Sequence, residues 1–277
     1  MYNLRMWTLD IVAGEGRVGN EAGGNGLETT QLSNFTATSD NSGAKELWRG
    51  PWAGISRTNW ILTNIDKSPK ISDAKKTQYK GEAHFLRGLY YFNLVRLFGD
   101  VPWIDKQQTA SDDLQVSRTS KDIVYQHIID DFSDAASMLP AVYENTTDIG
   151  RATKGAAFGL LAKVYLTLKR YNETLVAIDS VTNLGVYSLN RKYEWNFSDL
   201  RENGPESLFE VQYEKDVTAY SEFDILGQGG WHHEYMAPLA SINIGGPWGN
   251  FGWFAVYPEF VESYEPVSYT HLTLPTT

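Results

Sequence analysis

The chain of 277 residues contains no cysteine, so neither a disulfide nor a thiolate metal site is open to it. No apolar run approaches the roughly 18–20 residues that a membrane-spanning helix needs. Positive charge is scarce: 24 Lys and Arg stand against 34 Asp and Glu, a formal net charge of −10. Such a surface repels phosphate, which argues against a nucleic-acid partner. Gly-x-Ser-x-Gly is absent, and no Gly-rich phosphate loop leads into a helix. Trp231-His232-His233-Glu234 draws attention as a metal motif. Adjacent histidines, however, point apart on a helix or a strand, and no second ligand pair follows at a useful interval. Nor does any motif hold two carboxylates at the roughly 5–10 Å that glycosidase chemistry requires. No catalytic residue, metal ligand or cofactor is assigned.

What the chain does have is helical periodicity. Within 79–102, Ala83, Leu86, Tyr90, Leu94 and Leu97 form one apolar stripe. Phe85, Leu89, Phe92 and Phe98 widen it, so burial on more than one side is expected. Ser72-Asp73 caps the start of this helix. Glu82 stands ahead of Arg87, and Arg96 lies in the last turn, where a cation suits the helix dipole. Gly99 is the expected left-handed cap, and Pro102 prevents continuation. The spacing predicts a helix over 45–65, with Leu47, Trp48, Ile55, Leu62 and Ile65 on a broad face and Pro51 near its start. A third helix is expected within 112–140. Ser120 is its N-cap, and Ile123, Val124, His127, Ile128, Phe132, Ala135 and Leu139 mark its inner side.

Helices at 153–169 and 172–183 follow, joined by Arg170-Tyr171. Ala157, Leu160-Leu161-Ala162, Tyr165, Leu175 and Ala177-Ile178 give this pair a tetratricopeptide-like form. An ordinary helical bundle is the alternative reading. Residues 11–44 are rich in Gly, Asn, Ser and Thr and read as a long polar loop. After Asn183 the texture turns irregular, except that 206–213 alternates as a short strand does.

Certain residue combinations carry a family likeness. Glu82-Ala83, Leu86-Arg87, Tyr90-Tyr91-Phe92 and Gly99-Asp100-Val101-Pro102 resemble the signature helix and turn of the SusD/RagB family. These are surface glycan-binding lipoproteins of Bacteroidetes that partner a TonB-dependent transporter. Trp48, Trp52, Ile55 and Asn59 match the family's aromatic-x3-aromatic-x2-Ile-x3-Asn pattern, with Trp52 where Tyr is more usual. Asn203-Gly204-Pro205-Glu206-Ser207 ahead of Leu208-Phe209-Glu210 is similar to its Asn-x-x-Glu-Ser-Ile-Phe-Glu block. Gly252-Trp253 and 258–265 resemble the segment before an Asp-Pro-Arg block, and that block is missing. The likeness covers about 48–265, discontinuously.

The resemblance implies a mainly α fold of tetratricopeptide-like hairpins in a right-handed superhelix. A loop-rich region with a short strand would follow from about residue 184. It implies a non-catalytic protein that binds oligo- or polysaccharide and delivers it to a SusC-like TonB-dependent transporter. Its location would be the outer membrane at the cell surface, held only by a lipid anchor that this chain lacks. A glycan-active enzyme and a helical-repeat scaffold for protein ligands remain alternatives. Activity of the purified chain on glycans would mark the first, and a tight protein partner without glycan binding the second.

Two expectations concern the ends. No apolar stretch follows Met1-Tyr2-Asn3-Leu4-Arg5, so Met1 is expected to lie inside a longer parent. Residues 267–277, VSYTHLTLPTT, look like the translation of a sequencing adapter. The family-like domain is then 1–266, with a helical part at 45–183 and a loop-rich ligand part at 184–266.

The candidate ligand residues come from that last part. Trp231, Tyr235, Trp248 and Trp253 sit in a Gly-rich irregular stretch, and binding residues concentrate on loops held by a rigid scaffold. A pyranose face of C–H groups stacks on indole or phenol. Asn250 and Gln228 are candidate partners for its hydroxyls.

Overall fold

In chain order the computed structural model runs α1 (Thr8–Val12), β1 (Gly16–Val18), α2 (Leu27–Ser33), α3 (Ser42–Asn64), α4 (Asp73–Phe98), β2 (Val101–Pro102) and β3 (Arg118–Thr119). It continues with α5 (Lys121–Met138), α6 (Lys154–Thr167), α7 (Tyr171–Thr182), β4 (Phe254–Val256) and α8 (Pro258–Glu262). The structure describes residues 8–14, 16–18, 27–112, 114–212, 254–256 and 258–262. The chain divides into two units, one of residues 1–50 with 213–277 and one of residues 51–212.

The larger unit is mainly α, built of successive antiparallel hairpins. The five helical segments expected from periodicity are α3 to α7. Trp52 meets Tyr91 edge to face at 5.9 Å, Asn59 meets Arg87, and Lys80 pairs with Asp66 at 2.7 Å. Rising numbers on α3 thus meet falling numbers on α4. The same holds between α4 and α5: Phe92 meets Tyr125, and Phe85 meets Phe132. α4 is buried on more than one side, as its wide stripe implies. Phe85, Tyr91, Phe92 and Leu94 are all fully enclosed. Its start is capped by Ser72 Oγ, which accepts from the Lys75 N–H at 3.4 Å. Its end is Gly99, at a φ of +70°.

Several details differ from the sequence reading. Ser120 stands at the N-cap of α5 but makes no side-chain cap bond. Asp100 Oδ1 instead accepts from the Lys121 N–H at 2.8 Å, because β2 and β3 pair antiparallel and bring the Gly99–Pro102 turn against the helix start. Ile123 is exposed, and so are Leu175 and Ile178, while Thr174 and Ala177 are buried. Small residues let α7 approach α6 closely, so its larger apolar side chains face outward. Pro51 lies inside α3, which starts at Ser42. Residues 206–212 form no strand and pair with none among the described residues. Their alternation reflects packing on two sides, described below. The strand after residue 184 is β4, which pairs with β1 in antiparallel register, Gly16 opposite Val256.

The polar stretch 11–44 is not one loop. It holds β1, α2 and the start of α3, organised by a buried amide. Asn41 Nδ2 donates to Glu28 O and to Gln31 Oε1, each at 2.9 Å, and Asn41 Oδ1 accepts from the Ala44 N–H at 3.0 Å. One Asn thereby ties α2 to the first turn of α3 without apolar periodicity.

A buried polar node sits where α3, α4 and α5 meet. Arg87 Nε and Nη2 donate to the two oxygens of Asp131 at 2.9 and 2.7 Å. Its Nη1 donates to Asn59 Oδ1 at 2.9 Å and to Asp105 O at 3.0 Å. Burial opposes the guanidinium charge, and Asp131 outweighs it, raising the Arg87 pKa. Glu82, which stands ahead of Arg87 in the sequence, pairs with Arg151 at 2.9 Å instead.

Candidate functional site

α6 begins with a functional cap. Thr153 Oγ1 accepts from the Ala156 N–H at 3.1 Å and also bonds the Tyr187 hydroxyl at 2.8 Å. Residues 186–212 then cross α6 and seat in notches that its glycines leave. A Cβ on Gly155 would lie 2.2 Å from the Tyr187 ring, and one on Gly159 would lie 2.6 Å from Leu208 Cδ1. Phe209 packs edge to face on Phe85 at 5.0 Å. Asn203 and Gln212 close the crossing with a reciprocal amide pair at 2.9 and 3.0 Å. The Asn203–Glu210 block is therefore a strap across α6, anchored by Leu208 on one helix and Phe209 on another.

A groove of about 510 Å³ lies between this strap and α6. Its apolar floor includes Leu160, Leu208 and Phe209. Its polar lining is Lys163 from α6, Asn190, Asn196 and Arg201 from the irregular segment, and Glu206 and Glu210 from the strap. Glu206 Oε2 accepts from the Asn190 N–H at 2.9 Å, and Glu210 Oε2 from the Asn203 N–H at 3.0 Å. Asn190 Nδ2 donates to Asn196 Oδ1 at 2.6 Å. The Arg201 guanidinium lies over the Trp195 ring, 3.8 Å from its centroid. Across the strap is a second space of about 290 Å³, bordered by Tyr143, Asp148 and Arg151. The Tyr143 hydroxyl donates to Ala152 O at 2.8 Å, and burial together with the Glu82 carboxylate raises its pKa.

Trp231, Tyr235, Trp248, Asn250 and Trp253 all lie outside the described residues, as does Gln228. Among the described aromatics, Trp103 is occupied on both faces. Tyr91 covers one at 4.2 Å, and His127 is stacked on it at 4.4 Å with rings 12° apart. That stack is structural and offers no platform. Exposed rings stand instead on the 3₁₀ turn Tyr193–Phe197, which also carries Asn196. Tyr193 is 65% exposed and Phe197 74%, and they meet edge to face at 5.2 Å. They lie in the irregular stretch after Asn183, where no helical period marks a ring as bound for the core. Their signal was the loop setting itself. No group of three or more His, Asp or Glu among the described residues could hold a metal ion. No described helix is long and apolar enough to cross a membrane.

Residues 5–166 match a family model, the SusD-like proteins described as starch-binding and associating with the outer membrane. The chain belongs to the SusD-like family. It is 25% identical over 203 residues to a SusD-like protein, P25, of Formosa agariphila, covering 70% of this chain and 38% of that protein. A SusD superfamily protein of Parabacteroides distasonis shares the fold with a TM-score of 0.79 at 25% identity, over 95% of this chain and 54% of that one. Surface glycan-binding protein A of Bacteroides thetaiotaomicron, solved in complex with laminarihexaose, does so with a TM-score of 0.78 at 23% identity. That match covers 94% of this chain and 55% of the other, and it shows the fold alone. The chain spans well under half the length of the SusD-like proteins it matches in sequence, 38%, 40% and 35% for three of them.

Proposed function

We propose that this SusD-like protein binds oligo- or polysaccharide at the outer-membrane surface and passes it to a SusC-like TonB-dependent transporter, with no chemistry of its own. The observation that carries the reading is the family match over residues 5–166. The fold shared with a surface glycan-binding protein that holds laminarihexaose supports it. The helical hairpins act as a rigid frame, and the loops after residue 184 present the ligand-facing groups. In this reading Trp231, Tyr235, Trp248 and Trp253 stack on sugar rings, and Asn250 bonds hydroxyls. In the same reading a lipid anchor holds the protein at the membrane.

A glycan array probed with the purified chain tests this. Retention of one glycan class, with no release of reducing ends during incubation, is the expected result. Release of reducing ends would make the protein an enzyme. Failure to retain any glycan, alongside tight capture of a protein ligand, would make it a scaffold.

A further inference from the structure

We propose that the groove between α6 and the Asn203–Glu210 strap selects uronate-bearing oligosaccharides, with Arg201 and Lys163 receiving a sugar carboxylate. The proposal rests on the reading of the protein as a glycan binder and adds a charge class that the reading does not name. The groove has room for it: about 510 Å³ falls within the range of roughly 300–1,000 Å³ usual for small-ligand sites.

The donors carry the argument. Lys163 from α6 and Arg201 from the irregular segment both line the groove, and both are exposed. Among the described residues the Lys163 ammonium makes no hydrogen bond or ion pair, nor do the N–H groups of the Arg201 guanidinium. Glu206 and Glu210 line the same groove, yet neither forms an ion pair with either cation. A solvated surface cation alone would be unremarkable. The Arg201 plate, however, is held by its stack on Trp195, 3.8 Å from the ring centroid, so little side-chain freedom is lost when it donates. Its planar fork of N–H groups matches a carboxylate bidentately. The two glutamates have another task. Each commits Oε2 to a backbone N–H, that of Asn190 at 2.9 Å and that of Asn203 at 3.0 Å, and such bonds stabilise the charge they accept. Asn196 commits its carbonyl to Asn190 and keeps its N–H groups as further donors.

Charge along the chain points the same way. Residues 151–201, which supply α6 and the irregular segment, carry eight Lys and Arg against four Asp and Glu, whereas the whole chain carries 24 against 34. One wall of the groove is thus drawn from a basic stretch of an acidic protein. A uronate ring answers the whole lining. Its C–H face lies on Leu160, Leu208 and Phe209, its hydroxyls reach Asn196 and the second oxygens of the glutamates, and its carboxylate reaches Arg201 and Lys163. A neutral ring gains nothing from the two cations, and that difference sets the selectivity.

The test is isothermal titration of the 277-residue chain with hexamers of galacturonate and of mannuronate, with the methyl esters of both, and with neutral hexasaccharides of glucose, xylose and mannose. One uronate hexamer binds. Its methyl ester, the same ring without the charge, binds at least about tenfold more weakly. Added salt weakens the charged form alone. Arg201→Gln and Lys163→Gln each weaken uronate binding about ten- to a hundredfold with the melting temperature unchanged, since both side chains are exposed. Glu206→Gln combined with Glu210→Gln keeps an acceptor for each backbone N–H and removes two negative charges, so uronate affinity rises. A folding defect could not produce that gain. Uronate binding untouched by the Arg201 and Lys163 variants overturns the groove as its site. A methyl ester or a neutral hexamer that binds as tightly as the uronate overturns the charge selectivity and leaves glycan binding standing. Failure of every probe to bind overturns both the selectivity and the function it rests on.

Discussion

Gly155→Ala is ordinarily a stabilising change inside a helix, worth about 0.5–1 kcal/mol because the unfolded chain loses freedom. Here the structure reverses the sign. The new Cβ would stand 2.2 Å from Tyr187 Cε2 and 2.6 Å from its hydroxyl oxygen. No Cβ tolerates such contacts, so Tyr187 must leave its notch. It then loses its hydrogen bond to Thr153, worth about 0.5–1.5 kcal/mol. It also gives up the packing of a half-buried ring, and forced overpacking typically costs about 1–3 kcal/mol. The net expectation is destabilisation of about 1–3 kcal/mol, read from urea unfolding followed by circular dichroism. The companion variant makes the reasoning specific. In a Tyr187→Ala background the notch is empty, and Gly155→Ala should recover its intrinsic stabilisation. The coupling between the two sites is therefore about 1.5–4 kcal/mol, the sum of a lost gain and an added cost. If Gly155→Ala raises the midpoint with Tyr187 in place, the ring does not sit in that notch and the strap is not held as described.

Four further outcomes are expected. Asp131→Ala strands the buried Arg87 guanidinium and should cost about 3–5 kcal/mol of folding stability; a loss under about 1 kcal/mol in urea unfolding would show that solvent reaches it. Trp231→Ala or Trp248→Ala should weaken glycan binding by about 1–2 kcal/mol with the helical spectrum and melting unchanged; unfolding without a specific affinity loss would put these rings in the core. Deleting 267–277 should shift stability by less than about 1 kcal/mol, and a larger loss would make the tail native structure. Tyr143 has a raised folded pKa, so the stability it contributes is complete below its unfolded value of about 10 and falls as pH rises toward the folded value. Tyr143→Phe should flatten that alkaline decline in a pH series of unfolding midpoints, and an unchanged slope would assign the decline to other groups.

The helices were legible because one physical rule writes them. Burial of a helix face demands apolar residues at three- and four-residue spacing, and α3 to α7 follow that spacing to within a few residues of the expected limits. Where the reading failed, the structure used a different currency of interaction. α2 and the start of α3 are joined by the buried amide of Asn41, and amide networks have no period. The cap of α5 comes from Asp100, whose carboxylate accepts from the Lys121 N–H 21 residues downstream, so no local window contains both groups. The outward apolar side chains of α7 share the spacing of inward ones. Periodicity shows that a face exists, and only the neighbouring helix decides which face is covered.

The candidate site follows the same logic one step further. Its floor was visible in part, because from Phe209 onward apolar and polar residues alternate as Phe209, Glu210, Val211 and Gln212. The alternation reads as a strand when the partner is assumed to be another strand. The actual partners are Gly159 on α6 and Phe85 on α4, and a glycine notch is the one docking element that carries no side-chain signal. Gly155 and Gly159 stand one helical turn apart, each a mild local cost to the helix. Two such costs on one face make sense only if something must approach that face closely. Tyr187 and Leu208 fill the two notches, and the groove beside the strap is where its polar residues collect. The pattern that marks the groove is complementary to the one that marks the core: polar side chains flank residues that have given up their own.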